Sequence, residues 1–205
     1  ATSSVLNKYT DFILSSNSAE AKKNRLSATG AVHRDISTAS AIKVFLPDNQ
    51  RAGIFNDVAV INWDGSKVAG PYVVIVRNMF EDVLVKEETP ETSYKIDLSS
   101  EKYANENAIL VEVSAKADPK QVSKPHLIKK LSPAEEQQIA QSLKEVSADV
   151  ADDTPLNRFI MAGFYEQNNL LIDAITAYEE AIELAPDVPT FQESYDEFLL
   201  RNNLK

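Results

Sequence analysis

The strongest constraint on what this chain folds into is the stretch from Pro155 to Pro186, PLNRFIMAGFYEQNNLLIDAITAYEEAIELAP. Its pattern predicts two short antiparallel helices, 155–167 and 171–184, joined by a tight turn. Pro155 suits a first helical turn, where its missing N–H has no partner to lose. Thr154 or Asp153 stands before it as a cap. Asn168 and Asn169 suit the helix end, because Asn tolerates the left-handed backbone needed there. In the second helix Ala174, Ile175, Tyr178, Ala181 and Ile182 recur as one apolar face. Ala162, Gly163, Ala174 and Ala181 let two helix backbones approach closely, with Phe164, Tyr165 and Tyr178 filling the space between. Pro186 blocks continuation.

Ala162, Tyr165, Ala174, Tyr178, Ala181 and Pro186 give this stretch a resemblance to the tetratricopeptide repeat, a helix–turn–helix unit of 34 residues. Arg158 stands where that family usually has a large aromatic, and Asn169 where a Gly is common. Shifting the chain by one repeat aligns Pro155, Phe164, Asn168, Asn169 and Leu170 with Pro189, Phe198, Asn202, Asn203 and Leu204. A second first-helix is therefore expected over 189–204. Its partner helix has no residues left in the sequence, so Phe198, Leu199, Leu200 and Leu204 predict an apolar end face. Another part of the chain, or a second copy in a homodimer through this C-terminal helix, is expected to cover it.

Ahead of this module, Ser132-Pro133-Ala134-Glu135 reads as a capping box opening a helix to about Val146. Residues 39–131 change to strand patterns: 41–46, 58–63, 71–77, 82–86, 94–98, 108–114 and 125–131. Strands at this spacing predict a seven-stranded antiparallel β-sandwich. The order, with Trp63 ending the second strand and Tyr72 opening the third, resembles a fibronectin type III or immunoglobulin-like domain. Residues 1–38 carry one helical patch, where Val5, Leu6, Tyr9, Phe12 and Ile13 share a face, and a weaker helix over 19–26. The expected fold class is α+β. It has three parts: an N-terminal helical or extended segment (1–38), the sandwich (39–131) and the short tetratricopeptide-like helical array (132–205).

Charge divides along the same line. Residues 132–205 hold 15 Asp or Glu and 4 Lys or Arg, a net −11, while the rest of the chain nets +1. An acidic helical module disfavours nucleic acid and anionic lipid, which need positive charge, and is compatible with a basic protein or peptide partner. No apolar run is long enough to span a bilayer, so no membrane insertion is expected. The chain has no cysteine, hence no disulfide or thiol nucleophile. There is no G-x-S-x-G, no phosphate-binding glycine loop and no H-E-x-x-H. His33-Arg34-Asp35 would place neighbours on opposite faces of a strand. The carboxylates at Asp149, Asp152 and Asp153, and at Glu179, Glu180 and Glu183, lack the spacing of a calcium loop. No catalytic residue, metal or cofactor is expected, and the chain does not read as an enzyme.

Members of the tetratricopeptide family usually bind proteins on the concave surface lined by their first helices. The resemblance implies a groove of Leu156, Phe159, Gly163, Glu166 and Gln167, continued by Thr190, Glu193, Glu197, Leu200 and Arg201. Phe159 and Leu200 would supply apolar contact, and Glu166, Glu193 and Glu197 would hold a basic group. The expected function is a protein-interaction scaffold. The pairing of domain types implies a bacterial exported or envelope protein, in the periplasm or on the cell surface rather than in the cytoplasm. Three alternatives stay open, one of them an enzyme whose carboxylate pair is assembled across strands and so shows no motif. The array is a packing device whose groove is filled by the sandwich or the N-terminal helix. Or the sandwich binds carbohydrate or another small ligand through aromatics such as Tyr72, Phe80 or Tyr103, with the helices as a stabilising cap.

Overall fold

The computed structural model describes residues 2–28, 40–147, 150 and 152–205. His33, Arg34, Asp35 and Asp149 lie outside the described residues. The fold is mixed α+β. Two helices, α1 (Thr2–Ser16) and α2 (Ala19–Ala28), precede seven strands: β1 (Gly53–Ile54), β2 (Val58–Asn62), β3 (Tyr72–Arg77), β4 (Val83–Thr89), β5 (Ser93–Asp97), β6 (Ala108–Ala115) and β7 (His126–Lys130). Four helices follow: α3 (Pro133–Ser147), α4 (Pro155–Gln167), α5 (Leu171–Leu184) and α6 (Pro189–Arg201).

The strands form a five-stranded sheet ordered β1-β7-β6-β3-β4 and a separate β2-β5 pair. The expected seven-stranded antiparallel sandwich gives way to this mixed five-stranded sheet and separate pair, with β1 running parallel to β7. Gly53 permits that close pairing, since a Cβ there would stand 3.0 Å from Leu131 Cδ2. The strand expected over 41–46 is reduced to a single bridge between Val44 and Trp63. Beyond it, Asp48 turns the chain by accepting from the N–H groups of Gln50 and Arg51. Alternation decides the inner faces of the sheets. Val74 and Val76 of β3, Val111 and Val113 of β6, and Ala59 and Ile61 of β2 are fully buried. Trp63 and Tyr72 meet edge-to-face at 5.4 Å inside this core.

The helical boundaries follow their caps. Ser132 and Glu135 form the expected box: the Ser132 N–H donates to Glu135 Oε2 at 2.9 Å, and the Glu135 N–H to Ser132 Oγ at 3.4 Å. Thr154 Oγ1 accepts from the Asn157 N–H at 3.2 Å, with Pro155 next in the first turn. No helix among the described residues is long and apolar enough to cross a membrane.

One apolar core runs without a break from Tyr9 and Ile13 through both sheets to Phe198 and Leu204. Helix α5 is what joins the layers. Its apolar face (Ala174, Ile175, Tyr178, Ala181) packs within the helical array. A polar stripe at Asp173, Thr176 and Glu179 turns the other way, onto β2 and the residues before it. Asp173 accepts from the backbone N–H of Phe55 at 2.8 Å and of Asn56 at 2.9 Å. Thr176 Oγ1 accepts from the Val60 N–H at 3.1 Å, and Glu179 Oε1 from Asn62 Nδ2 at 2.7 Å. Side chains of a helix thus satisfy donors along β2, which has only β5 as a partner strand.

Candidate protein-binding groove

The groove is built from two helices of the same length and register. Helices α4 and α6 begin at Pro155 and Pro189, each run for 13 residues, and end in the same hydrogen bonds. The Leu170 N–H donates to the Tyr165 carbonyl at 2.9 Å, and the Leu204 N–H to the Leu199 carbonyl at 2.8 Å. Asn168 Nδ2 donates to the Phe164 carbonyl, and Asn202 Nδ2 to the Phe198 carbonyl. The 34-residue shift seen in the sequence is therefore repeated bond for bond at both helix ends.

Between these two ends lies an ion pair. Arg201 donates through Nε to Glu166 Oε1 and through Nη2 to Glu166 Oε2, both at 2.7 Å. The side chains are 13% and 7% exposed, so water competes weakly for them. Asn202 Nδ2 adds a third donor to Glu166 at 2.9 Å. Burial alone lowers the Arg201 pKa, and the bonds to Glu166 more than reverse that.

Helix α1 lies on this surface. Its Ile13 is fully buried and its Tyr9 nearly so. A Cβ at Gly163 would come within 3.0 Å of Ile13 Cδ1 and 3.1 Å of the Tyr9 carbonyl oxygen, so the glycine is what admits the helix. Tyr9 meets Phe164 edge-to-face at 5.7 Å. At the far end, Arg201 Nη1 donates to Asn17 Oδ1 at 2.6 Å. Lys22 of α2 pairs with Glu197 of α6 at 3.3 Å. The side chains of Val5 and Leu6, which share the expected apolar face, lie outside the described residues.

The expected groove residues therefore divide. Gly163 meets α1, Glu166 and Arg201 bond each other, and Glu197 holds Lys22. Phe159 faces inward, against Tyr178 and Phe191. Leu156, Gln167, Thr190, Glu193 and Leu200 are exposed at the rim. The residues that reasoning from the array did not assign to the groove are its occupants, Tyr9, Ile13, Asn17 and Lys22. The signal for Tyr9 and Ile13 lies in the amphipathic spacing of 5–13; Asn17 and Lys22 carry none. Of the expected apolar end face, Phe198, Leu199 and Leu204 are buried by the chain itself and Leu200 stays 44% exposed.

Elsewhere, Tyr72 and Tyr103 are buried, and the Tyr72 hydroxyl donates to the Val68 carbonyl at 2.7 Å. Only Phe80 of that aromatic trio reaches solvent, at 85% exposure on the β3–β4 turn. A recess of about 320 Å³ opens where α4 and α5 meet the residues before β2, lined by Arg158, Tyr165, Asp173 and Glu180 among others. Burial pushes Asp173 up to about 6 despite its three hydrogen bonds, and Tyr165 up to about 12. Arg158 is already engaged, with Asp153 at 2.8 Å and Glu180 at 3.0 Å. The recess is thus an internally satisfied seam rather than a set of open groups. No family model matches the chain, and no curated protein matches it.

Proposed function

We propose that this chain is a non-enzymatic protein-interaction module whose tetratricopeptide-like groove takes an amphipathic helix with a basic flank. The observation that carries the reading is α1 itself. It places an apolar face, Tyr9 and Ile13, on Gly163 and Phe164, while Lys22 in the helix after it reaches Glu197. A segment of this chain therefore serves as a worked example of what the surface accepts. The net charge of −11 over 132–205 favours a basic flank on any competing helix. A tethered helix acts at high effective concentration, so a partner in trans binds only by outcompeting it or after it is released.

The test is binding in trans. Ile13→Asp in the full chain weakens the hold of α1, and a labelled peptide of residues 2–28 is then titrated in. Saturable binding to this variant, absent in the unsubstituted chain and abolished by adding Gly163→Leu, supports the reading. Failure of the Ile13→Asp variant to bind the peptide, with its fold intact by circular dichroism, contradicts it.

A further inference from the structure

A second concave site lies on the opposite chemistry. Four separate segments meet where the last turn of the chain closes onto the sandwich. Residues 40–46 contribute Lys43, the β2–β3 loop Lys67, the approach to β7 Lys124 and His126, and the turn after α6 Asn203 and Leu204. They enclose about 330 Å³, within the range of small-ligand sites. The space continues past His126 and Lys124 into a neighbouring hollow beside Asp48. Leu204 is buried there, held by its N–H to the Leu199 carbonyl, and the left-handed Asn203 (φ 59°) turns the chain at the rim.

The charge balance of the 330 Å³ space is one-sided. No Asp or Glu lines it, and none of its three lysines is paired with a carboxylate among the described residues. Asp64 interacts with Lys67 while its carboxylate is turned to Ser66, and Asp48 lines the neighbouring hollow. In a chain of net charge −10, three exposed lysines around one concavity, with no carboxylate partner among the described residues, make the local potential there positive. His126 registers it: burial first, and then the charge of Lys124, hold its pKa below the ordinary value. The site offers lysine point charges and no guanidinium fork, which suits a tetrahedral phosphoryl group better than a planar carboxylate.

We propose that this pocket binds a phosphoryl group, with Lys43, Lys67 and Lys124 as its charge partners and His126 and Asn203 as hydrogen-bond donors. The group belongs either to a small soluble phosphate ester or to a lipid headgroup, and the experiment separates the two. The C–H resonances of the full chain's histidines are followed by NMR during titration with inorganic pyrophosphate at low salt. His126→Gln assigns the signal, since the chain has only two histidines. The expected result is a saturable shift of His126 and a rise in its pKa. Lys43→Gln and Lys124→Gln, both at exposed positions that leave the core untouched, each weaken binding about tenfold. A response to pyrophosphate alone assigns a soluble phosphate. Lysine-dependent sedimentation with phosphatidylcholine vesicles that contain phosphatidic acid, absent without it, assigns a headgroup. Two results overturn the proposal. One is no saturable His126 shift with pyrophosphate together with no sedimentation; the other is a response that both lysine variants leave unchanged.

Discussion

Asn169 and Asn203 stand one 34-residue repeat apart and hold the same left-handed backbone, at φ 58° and 59°. Each follows a helix whose last carbonyls are met by two backbone bonds, from the Asn itself and from the Leu after it. Each of those leucines is buried. The pair shows that α4 and α6 are ended by one device used twice. The ion pair from Glu166 at the end of α4 to Arg201 at the end of α6 ties the two ends together.

The same device gives the first expectation. Asn169→Ala and Asn203→Ala each keep a Cβ at positive φ but lose the short polar side chain that lets Asn tolerate it, at a cost of about 1 kcal/mol, whereas Asn→Gly removes the Cβ and is close to neutral. Urea unfolding of the four variants measures this. A loss from Gly as large as that from Ala would show that the Asn side chain, rather than tolerance of the positive φ, holds the turn.

The Glu166–Arg201 pair is expected to be costly to halve and cheap to replace whole. Arg201→Met leaves a largely buried carboxylate without its counterion and should lose about 2–3 kcal/mol. Adding Glu166→Met should recover a large part of that loss. A double-mutant cycle from chemical denaturation reads the coupling directly.

The contribution of Asp173 to stability should fall as pH rises through the window between about 4 and 6, while Asp64, Asp97 and Glu135, held below their ordinary values by hydrogen bonds to Ser66, Ser99 and Ser132, act in the opposite direction. Asp173 is raised from its ordinary 3.8 to about 6 by burial. In that window the folded chain holds a proton on Asp173 that the unfolded chain has released, so acidification favours folding. Its contribution is fully present below the unfolded value and lost as pH rises through the folded one. Glu179, raised by burial as well, acts in the same direction. Asp173→Asn turns an amide N–H₂ toward donors from Phe55 and Asn56, so it should lower stability throughout and flatten this slope. Unfolding free energies at several pH values, taken as the difference between the two chains, provide the check.

Gly163→Leu should release α1 and leave the rest folded. Its side chain has to occupy the space of Ile13 Cδ1 and the Tyr9 carbonyl. Limited proteolysis should then cut within residues 2–28 much faster than in the unsubstituted chain. Backbone amides of α5, tied to β2 through Thr176, should keep their protection from exchange.

Much of this architecture was legible from local chemistry. Pro155, Thr154, Asn169 and the Ser132–Glu135 box act through neighbours within a few residues, so their consequences can be read along the chain. The strand alternation of 72–77 and 108–115 was legible for the same reason. The parallel edge at Gly53–Ile54 was not, because two residues carry no periodicity and the pairing partner is 76 residues away at Lys129. The polar stripe of α5 carries no local signal: Glu179 stands beside Glu180 and Glu183 without the spacing of a metal loop. Glu179 instead bonds Asn62, and Asp173 and Thr176 bond backbone donors, because β2 offers N–H groups that no sequence pattern advertises. The groove followed the same logic. Its walls were visible at the repeat spacing, whereas its occupancy by Ile13 depends on a contact between residues 150 positions apart.

Under the proposed function, α1 is a displaceable resident of the surface formed by α4 and α6. The chain lacks cysteine, so two introduced ones can be spin-labelled without background. Leu14 of α1 and Leu200 of α6 are both exposed enough to carry labels without disturbing the core. Pulsed electron resonance between them is the most direct measurement. A single short distance, which becomes long and broad in the Ile13→Asp variant, is the result this account predicts. A long or broad distribution before any substitution, or one that Ile13→Asp leaves unchanged, would contradict it.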